Sequence, residues 1–304
     1  MVLVLATDGS ENARFAVDYL LRYPIPKSSK IYCCSVYSPV SAVTATAHPF
    51  LGAILGERIA EAIEAAREQA MSASAEAATK LSSAGFDAEA VTLEGDPAGR
   101  IAEFSEEKAA KLTVFGAIGV SAVEEYLMGS VARALLHHSK NSILVVKRNK
   151  FSQHEGLRAI YATDLSEESA KTRDLVPILA PGKFESLDIV TVATDLKAIQ
   201  AIEAKRIVSD AKSEFDDPEK AVIEWYEERL KQVEEDIAPA AKVFRRVVLE
   251  GDPRKVLVDY ARESSSDLLI CGARSHSVLS RIFIGSVSEH LVYRANCSVL
   301  VIRP

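Results

Sequence analysis

Gly116-Ala117-Ile118-Gly119, followed across nine residues by Gly129-Ser130-Val131, has a counterpart further along the chain in Gly272-Ala273-Arg274-Ser275 and Gly285-Ser286-Val287. The offset is 156 positions. The same offset carries Ala6-Thr7-Asp8 onto Ala162-Thr163-Asp164, and Glu94-Gly95-Asp96-Pro97 onto Glu250-Gly251-Asp252-Pro253. It also carries Ser142, Leu144 and Val145 onto Ser298, Leu300 and Val301. Residues 116–148 and 272–304 share 10 identities in 33 positions. One register held across five separate segments marks a duplicated domain, present twice and not as a long solenoid. The boundaries that follow are 1–148 and 157–304, joined by a polar linker at 149–156 that contains Asn149, Ser152, Gln153 and His154.

Within the first copy, residues 2–7 form an apolar run that reads as a buried strand. Ser10 can cap a helix reaching Arg22, with Ala13, Val17, Leu20 and Leu21 on one side and Pro24 and Pro26 beyond its end. A β-rich run covers 31–37, and Pro39, Pro49 and Gly52 make 38–52 read as irregular. Ala- and Glu-rich chemistry predicts a helix over 54–82. A strand is expected at 87–93, and a helix from Pro97 to Ala110. A strand at 112–116, a helix from Ser130 to His138 and a strand at 142–147 complete the unit. The second copy predicts strands at 157–163, 187–192, 243–250, 267–271 and 298–302, with a charged helical stretch over 196–238 that divides in two. Strict strand–helix alternation implies a doubly wound, five-stranded parallel sheet covered by helices on both faces, an α/β fold in each copy.

Composition narrows the function. The 304 residues are 48% hydrophobic and 26% charged, with a net charge of −7. Residues 1–150 hold 15 basic and 17 acidic side chains, the remainder 21 and 26. A mildly acidic surface argues against nucleic acid as a partner, since phosphate-backbone affinity needs clustered Lys and Arg. No run approaches the ~18 apolar residues of a membrane helix. The N-terminal run lacks a basic flank and reads as strand, not leader. Cys33, Cys34, Cys271 and Cys297 form no CxxC pair and read as buried thiols, which points to a reducing cytoplasm.

In a doubly wound sheet, ligands bind beyond the carboxyl ends of the strands, where the strand order reverses. Two segments of each copy fall there: Thr7-Asp8-Gly9-Ser10 after the first strand, and the glycine segment after the fourth. Glycines let backbone amides approach a phosphate, and a helix beginning at Ser130 presents a partially positive N-terminus to it. Asp8 would repel phosphate and suits an acceptor role toward base or ribose donors. A tight turn after a buried strand, with Asp8 and Asp164 as turn formers, accounts for the same residues without a ligand. No GxGxxG, P-loop, HExxH, GxSxG or paired-Cys zinc pattern is present, and no nucleophile–base–orienter set stands out.

Gly-2x-Gly-9x-Gly-Ser, read from Gly116, Gly119, Gly129 and Ser130, resembles the ATP-binding motif of the universal stress protein family. The early strand ending at Asp8, Gly95-Asp96-Pro97 before the third helix, and the closing Ser142-Ile143-Leu144-Val145-Val146 strand fit the same family over nearly the whole chain, twice. The resemblance implies a Rossmann-like, adenine-nucleotide-hydrolase-like fold that binds ATP or AMP, with or without Mg. It implies that Asp8 and Val36 contact adenine or ribose, and that Gly116, Gly119, Gly129 and Ser130 hold the phosphates. The matching positions in the second copy are Asp164, Val192, Gly272, Ser275, Gly285 and Ser286. Ser275 departs from the motif; where the backbone needs φ > 0, its Cβ costs on the order of 1 kcal/mol. Arg274, His276 and Arg281 offer compensating charge there, whereas Glu124 and Glu125 oppose phosphate in the first copy. The complete glycine set favours the first copy as the nucleotide site. The family also implies pairing through the final apolar strands, here within one chain about a pseudo-two-fold axis, with a further homodimer compatible. The expected role is nucleotide-dependent stress-response regulation through a protein partner. A scaffold without nucleotide, and a slow ATPase or autophosphorylating protein, are the alternatives.

Overall fold

The computed structural model describes residues 1–38, 49–117, 128–148, 156–193, 218–273 and 284–304. The chain divides into two compact units, Met1–Arg148 and Asn149–Pro304. Gly119, Glu124, Glu125, Arg274, Ser275, His276, Arg281 and linker residues 149–155 lie outside the described residues, as do 194–217 of the charged helical stretch.

The first unit runs β1 (Val2–Ala6), α1 (Glu11–Arg22), β2 (Lys30–Tyr37), α2 (Pro49–Ser83), β3 (Asp87–Glu94), α3 (Pro97–Glu107), β4 (Leu112–Gly116), α4 (Ser130–His138) and β5 (Ser142–Val146). Its strands lie in the order β3-β2-β1-β4-β5, and every pair is parallel. The second unit runs β6 (Arg158–Ala162), α5 (Glu167–Arg173), α6 (Val176–Leu179), β7 (Phe184–Ala193), α7 (Pro218–Ile237), β8 (Ala241–Glu250), α8 (Pro253–Glu263), β9 (Leu268–Gly272), α9 (Ser286–Arg294) and β10 (Ser298–Ile302). Its order is β8-β7-β6-β9-β10, again parallel throughout. Val2 stands opposite Lys30 and Arg158 opposite Ser186; Lys30 stands opposite Asp87 and Ser186 opposite Val243. The offset of 156 therefore holds in backbone register as well as in sequence.

Sequence expectation and structure differ at a few boundaries. Residues 49–52 are helical, because Pro49 occupies a first-turn position where its missing N–H breaks no bond. Helix α3 ends at Glu107, short of Ala110, because Ala109 takes φ 48 and turns the chain toward β4; Ser265 does the same in the second unit with φ 51. Strands β7 and β8 begin at Phe184 and Ala241, earlier than their apolar runs suggest. Ser10 caps α1 as expected, its Oγ accepting from the Ala13 N–H at 3.2 Å.

Strand alternation distributes the helices. On β4, Thr113 donates to Ser105 of α3 at 3.1 Å, so odd positions face α3. Gly116 faces α1 instead, and a Cβ built on it would lie 2.6 Å from the Asn12 carbonyl oxygen. A side chain there would collide with helix backbone. The equivalent Gly272 is less crowded, its nearest neighbour being Thr172 Cγ2 at 3.3 Å. The opposite face shows how far the two units have diverged. Tyr32 of β2 meets Phe104 of α3 edge-on, ring centroids 5.4 Å apart. At the matching positions, buried Asp188 accepts from Arg245 Nε at 2.9 Å and from the Tyr260 hydroxyl at 2.8 Å. Burial, together with that bond, raises the Tyr260 phenol to about 12.

Gly116→Ala is expected to destabilise the first unit by about 2 kcal/mol, since α1 must move as a body. Gly272→Ala should cost under about 1 kcal/mol, because a threonine methyl can yield. Urea unfolding of the two variants tests this; equal losses would show that α1 slides over β4 as easily as Thr172 shifts.

Candidate functional site

In each unit the chain winds outward from the first strand to the second and third, then returns to the fourth on the other side. The segments after β1 and β4, and after β6 and β9, start from that reversal, the place where doubly wound sheets bind ligands. The first loop is built by short polar bonds. Asp8 Oδ1 accepts from the Ser10 N–H at 2.9 Å, and Asp164 Oδ1 from the Ser166 N–H at 3.0 Å and the Ser166 hydroxyl at 2.6 Å. Both aspartates are therefore turn formers, and both stand exposed at the strand ends. Thr163 Oγ1 accepts from the Leu165 N–H at 3.1 Å and donates to Ser169 Oγ at 3.1 Å, tying the loop to α5.

The residue after each aspartate is left-handed: Gly9 has φ 75 and Leu165 has φ 59. For leucine this conformation costs about 1–2 kcal/mol.

The second loop ends in a helix start. Gly129 and Gly285 are the N-caps of α4 and α9, with φ −60 and −72, values any residue can adopt. The first-turn amides of any helix lack an intrahelical acceptor, and here neither cap residue supplies a side-chain acceptor for those of Ser130–Ala132 and Ser286–Ser288. Such a terminus favours an anion. Its position is fixed in the second unit: the Gly285 N–H donates to the Ala273 carbonyl at 2.6 Å, and Ser288 Oγ donates to the Gly272 carbonyl at 2.5 Å.

Between these elements of the second unit lies a cavity of about 260 Å³. Of the residues the sequence singled out, Asp164, Val192, Gly272 and Gly285 line it together. Ser286 is exposed at the first helical position and is not part of the lining. The cavity floor, which sequence reading missed, is Val190, Leu257, Cys271 and Leu291, and Ser169 and Ser288 are also among the lining residues. Alternation from Val192 back to Val190 is the signal that could have found it. Among the described residues no group of His, Cys, Asp or Glu converges to hold a metal, and no helix is long and apolar enough to cross a membrane.

In the first unit Val36 is half-buried at the end of β2, Gly116 and Gly129 are half-buried, and Asp8 and Ser130 are exposed. The positions corresponding to the second-unit floor are chemically different: Cys34 and Phe115 stand where Val190 and Cys271 stand in the second unit, and Ala13 and Ala132 where Ser169 and Ser288 stand. The two sites of the chain are not equivalent.

A universal stress protein family model matches residues 1–147 and again 158–303. The chain belongs to the universal stress protein family. A universal stress protein of Methanocaldococcus jannaschii is 32% identical over 77 residues, which are 25% of this chain and 45% of that protein. Stress response protein NhaX of Bacillus subtilis is 31% identical over 85 residues, 26% of this chain and 49% of NhaX. The matched segments thus span about half the length of these relatives. A universal stress protein of Mycolicibacterium smegmatis is 26% identical over 198 residues, 65% of this chain and 63% of its own length. The crystal structure of a universal stress protein from Archaeoglobus fulgidus shares the fold, with a TM-score of 0.60 over 99% of this chain and 96% of that one, at 20% identity.

This universal stress protein holds its thiols out of reach. All four cysteines are buried and none is in a disulfide, and burial raises Cys33, Cys34 and Cys271 to about 12. At pH 8 the native protein should present these three with roughly a thousandfold less thiolate than an ordinary cysteine. An aromatic disulfide reagent is expected to titrate all four only after denaturation. Rapid native labelling of Cys271 would mean that the cavity floor is open to solvent.

Proposed function

We propose that this protein binds an adenine nucleotide, ATP or AMP, at the carboxyl ends of its strands and serves stress-response regulation through ligand occupancy rather than turnover. The observation that carries this reading is the second-unit cavity, which gathers an acceptor carboxylate, an apolar wall and an uncapped helix N-terminus around one space. Asp164 suits ribose hydroxyls or the adenine amine. Val190 and Val192 suit the face of the base. The first-turn amides after Gly285 suit phosphate oxygens, which the partial positive charge of the helix end favours. The first unit carries the corresponding Asp8, Val36, Gly116, Gly129 and Ser130, and the complete glycine motif with Gly119. A neutral, buried Cys271 offers no nucleophile, in keeping with a binding role. Differential affinity for two loop states would let nucleotide level set the affinity for a protein partner.

Calorimetric titration with ATP and AMP tests the proposal. Asp164→Asn keeps an acceptor for the Ser166 N–H but removes the charge, and should weaken second-unit binding about tenfold. Gly285→Val should abolish binding there while leaving the first unit to titrate. Mass analysis of small molecules released on denaturation identifies a co-purifying ligand. A wild-type protein that carries no nucleotide and binds none below millimolar would overturn the reading.

A further inference from the structure

Leu165 is an unexpected residue at its position. The first unit uses glycine for the same left-handed turn, and there a Cβ would lie 3.2 Å from Ala73 Cβ of α2, a tight contact. In the second unit a large apolar side chain occupies the turn. A left-handed leucine persists only where its surroundings over-determine it. Those surroundings are a compact cluster: Leu165 packs with Trp225 and Val248 against buried Ala193 and Tyr226. Trp225 meets Tyr226 edge-on with centroids 4.9 Å apart, and the Arg229 guanidinium lies 3.5 Å from the Trp225 ring centroid. Both ends of the cluster touch the candidate site. Leu165 is bonded in sequence to Asp164, and Ala193 to Val192, and both of those neighbours line the cavity.

We infer that Leu165 is a positioning residue that couples the candidate nucleotide site of the second unit to helix α7, so that occupancy of the cavity is read out at Trp225. The inference rests on the nucleotide reading above. The coupling element has two discrete states. With Leu165 seated in the cluster, the backbone is left-handed and its N–H is held by Thr163 Oγ1, which fixes where Asp164 stands. With Leu165 withdrawn, the backbone relaxes to an ordinary conformation, the Asp164 carboxylate leaves the cavity wall, and the Ala193–Tyr226 pair on which Trp225 also packs loses an apolar member. A ligand that contacts Asp164 favours the seated state and tightens the packing around Trp225. The first unit, with α2 resting directly on Gly9, has no comparable side chain in its turn.

Trp225 is the single tryptophan of the chain, so its emission reports on α7 alone. Wild type, Gly285→Val, Leu165→Gly, Leu165→Ala and Leu165→Met would be titrated with ATP and AMP by calorimetry and by tryptophan fluorescence in parallel, with circular dichroism melts confirming that each variant is folded. Wild type should bind with a change in Trp225 emission that disappears in Gly285→Val. Leu165→Gly keeps the left-handed turn without strain but removes the bolt, and should lose the emission change even at nucleotide concentrations that saturate the second unit by calorimetry. Leu165→Ala keeps the strain without its support and should weaken second-unit binding about tenfold. Leu165→Met should restore both. A wild type that binds without any emission change, or a Leu165→Gly variant that retains it, overturns the coupling while leaving nucleotide binding intact. A wild type that binds no nucleotide by calorimetry overturns both together.

Discussion

Each unit depends on one strand having neighbours on both sides that the chain reaches by opposite routes. β1 pairs with β2 and with β4, and β6 with β7 and with β9. The backbone bonds of that central strand are satisfied only by strands that are remote from it, or from each other, in sequence. Meeting the demand forces the chain to wind out in one direction and return in the other. The crevice at the carboxyl ends is a geometric by-product of that winding. Everything proposed for the site uses groups that the reversal leaves there: the turn after the first strand, the end of the second strand, and an uncapped helix after the fourth.

The doubly wound parallel sheet was legible because the alternation of apolar runs with helix chemistry admits few other arrangements, and because the offset of 156 gave every segment a second reading; the order of the strands within it was not read. The candidate site was legible where a residue type is chosen for its backbone: Asp164 and Gly285 stand at a loop and a helix start that their neighbours announce. The cavity floor was not. Val190, Leu257 and Leu291 look like any core residue until three elements bring them together. Gly116 shows the converse. The motif presents it as a phosphate contact, yet the approach of the α1 backbone alone would demand glycine there. A motif position can be required by packing and be available to a ligand at the same time, and sequence does not separate the two demands.

Duplication left the backbone register unchanged while the chemistry within it drifted. Where one unit has an aromatic pair, Tyr32 with Phe104, the other has a carboxylate held by Arg245 and Tyr260. The exchange preserves contact between the second strand and the third helix by unrelated forces, dispersion in one case and charge-assisted hydrogen bonding in the other. Phe115 against Cys271 is a similar trade, with the bulk that fills one floor absent from the other. Two sites with the same scaffold and different floors are free to differ in what they hold.

The contact between Gly9 and Ala73 constrains the routes by which such copies can exchange solutions. Placing a leucine at position 9 would bring its Cβ to 3.2 Å from Ala73 Cβ of α2, so a left-handed leucine there would carry a tight contact on top of its backbone strain. Replacing Leu165 by glycine meets no such obstacle and only leaves a gap in an existing cluster. Moving from the second arrangement to the first relieves strain and leaves a gap, whereas the reverse adds both a tight contact and a left-handed leucine. The two directions are unequal, and the asymmetry is written into the spacing between one loop and the helix above it.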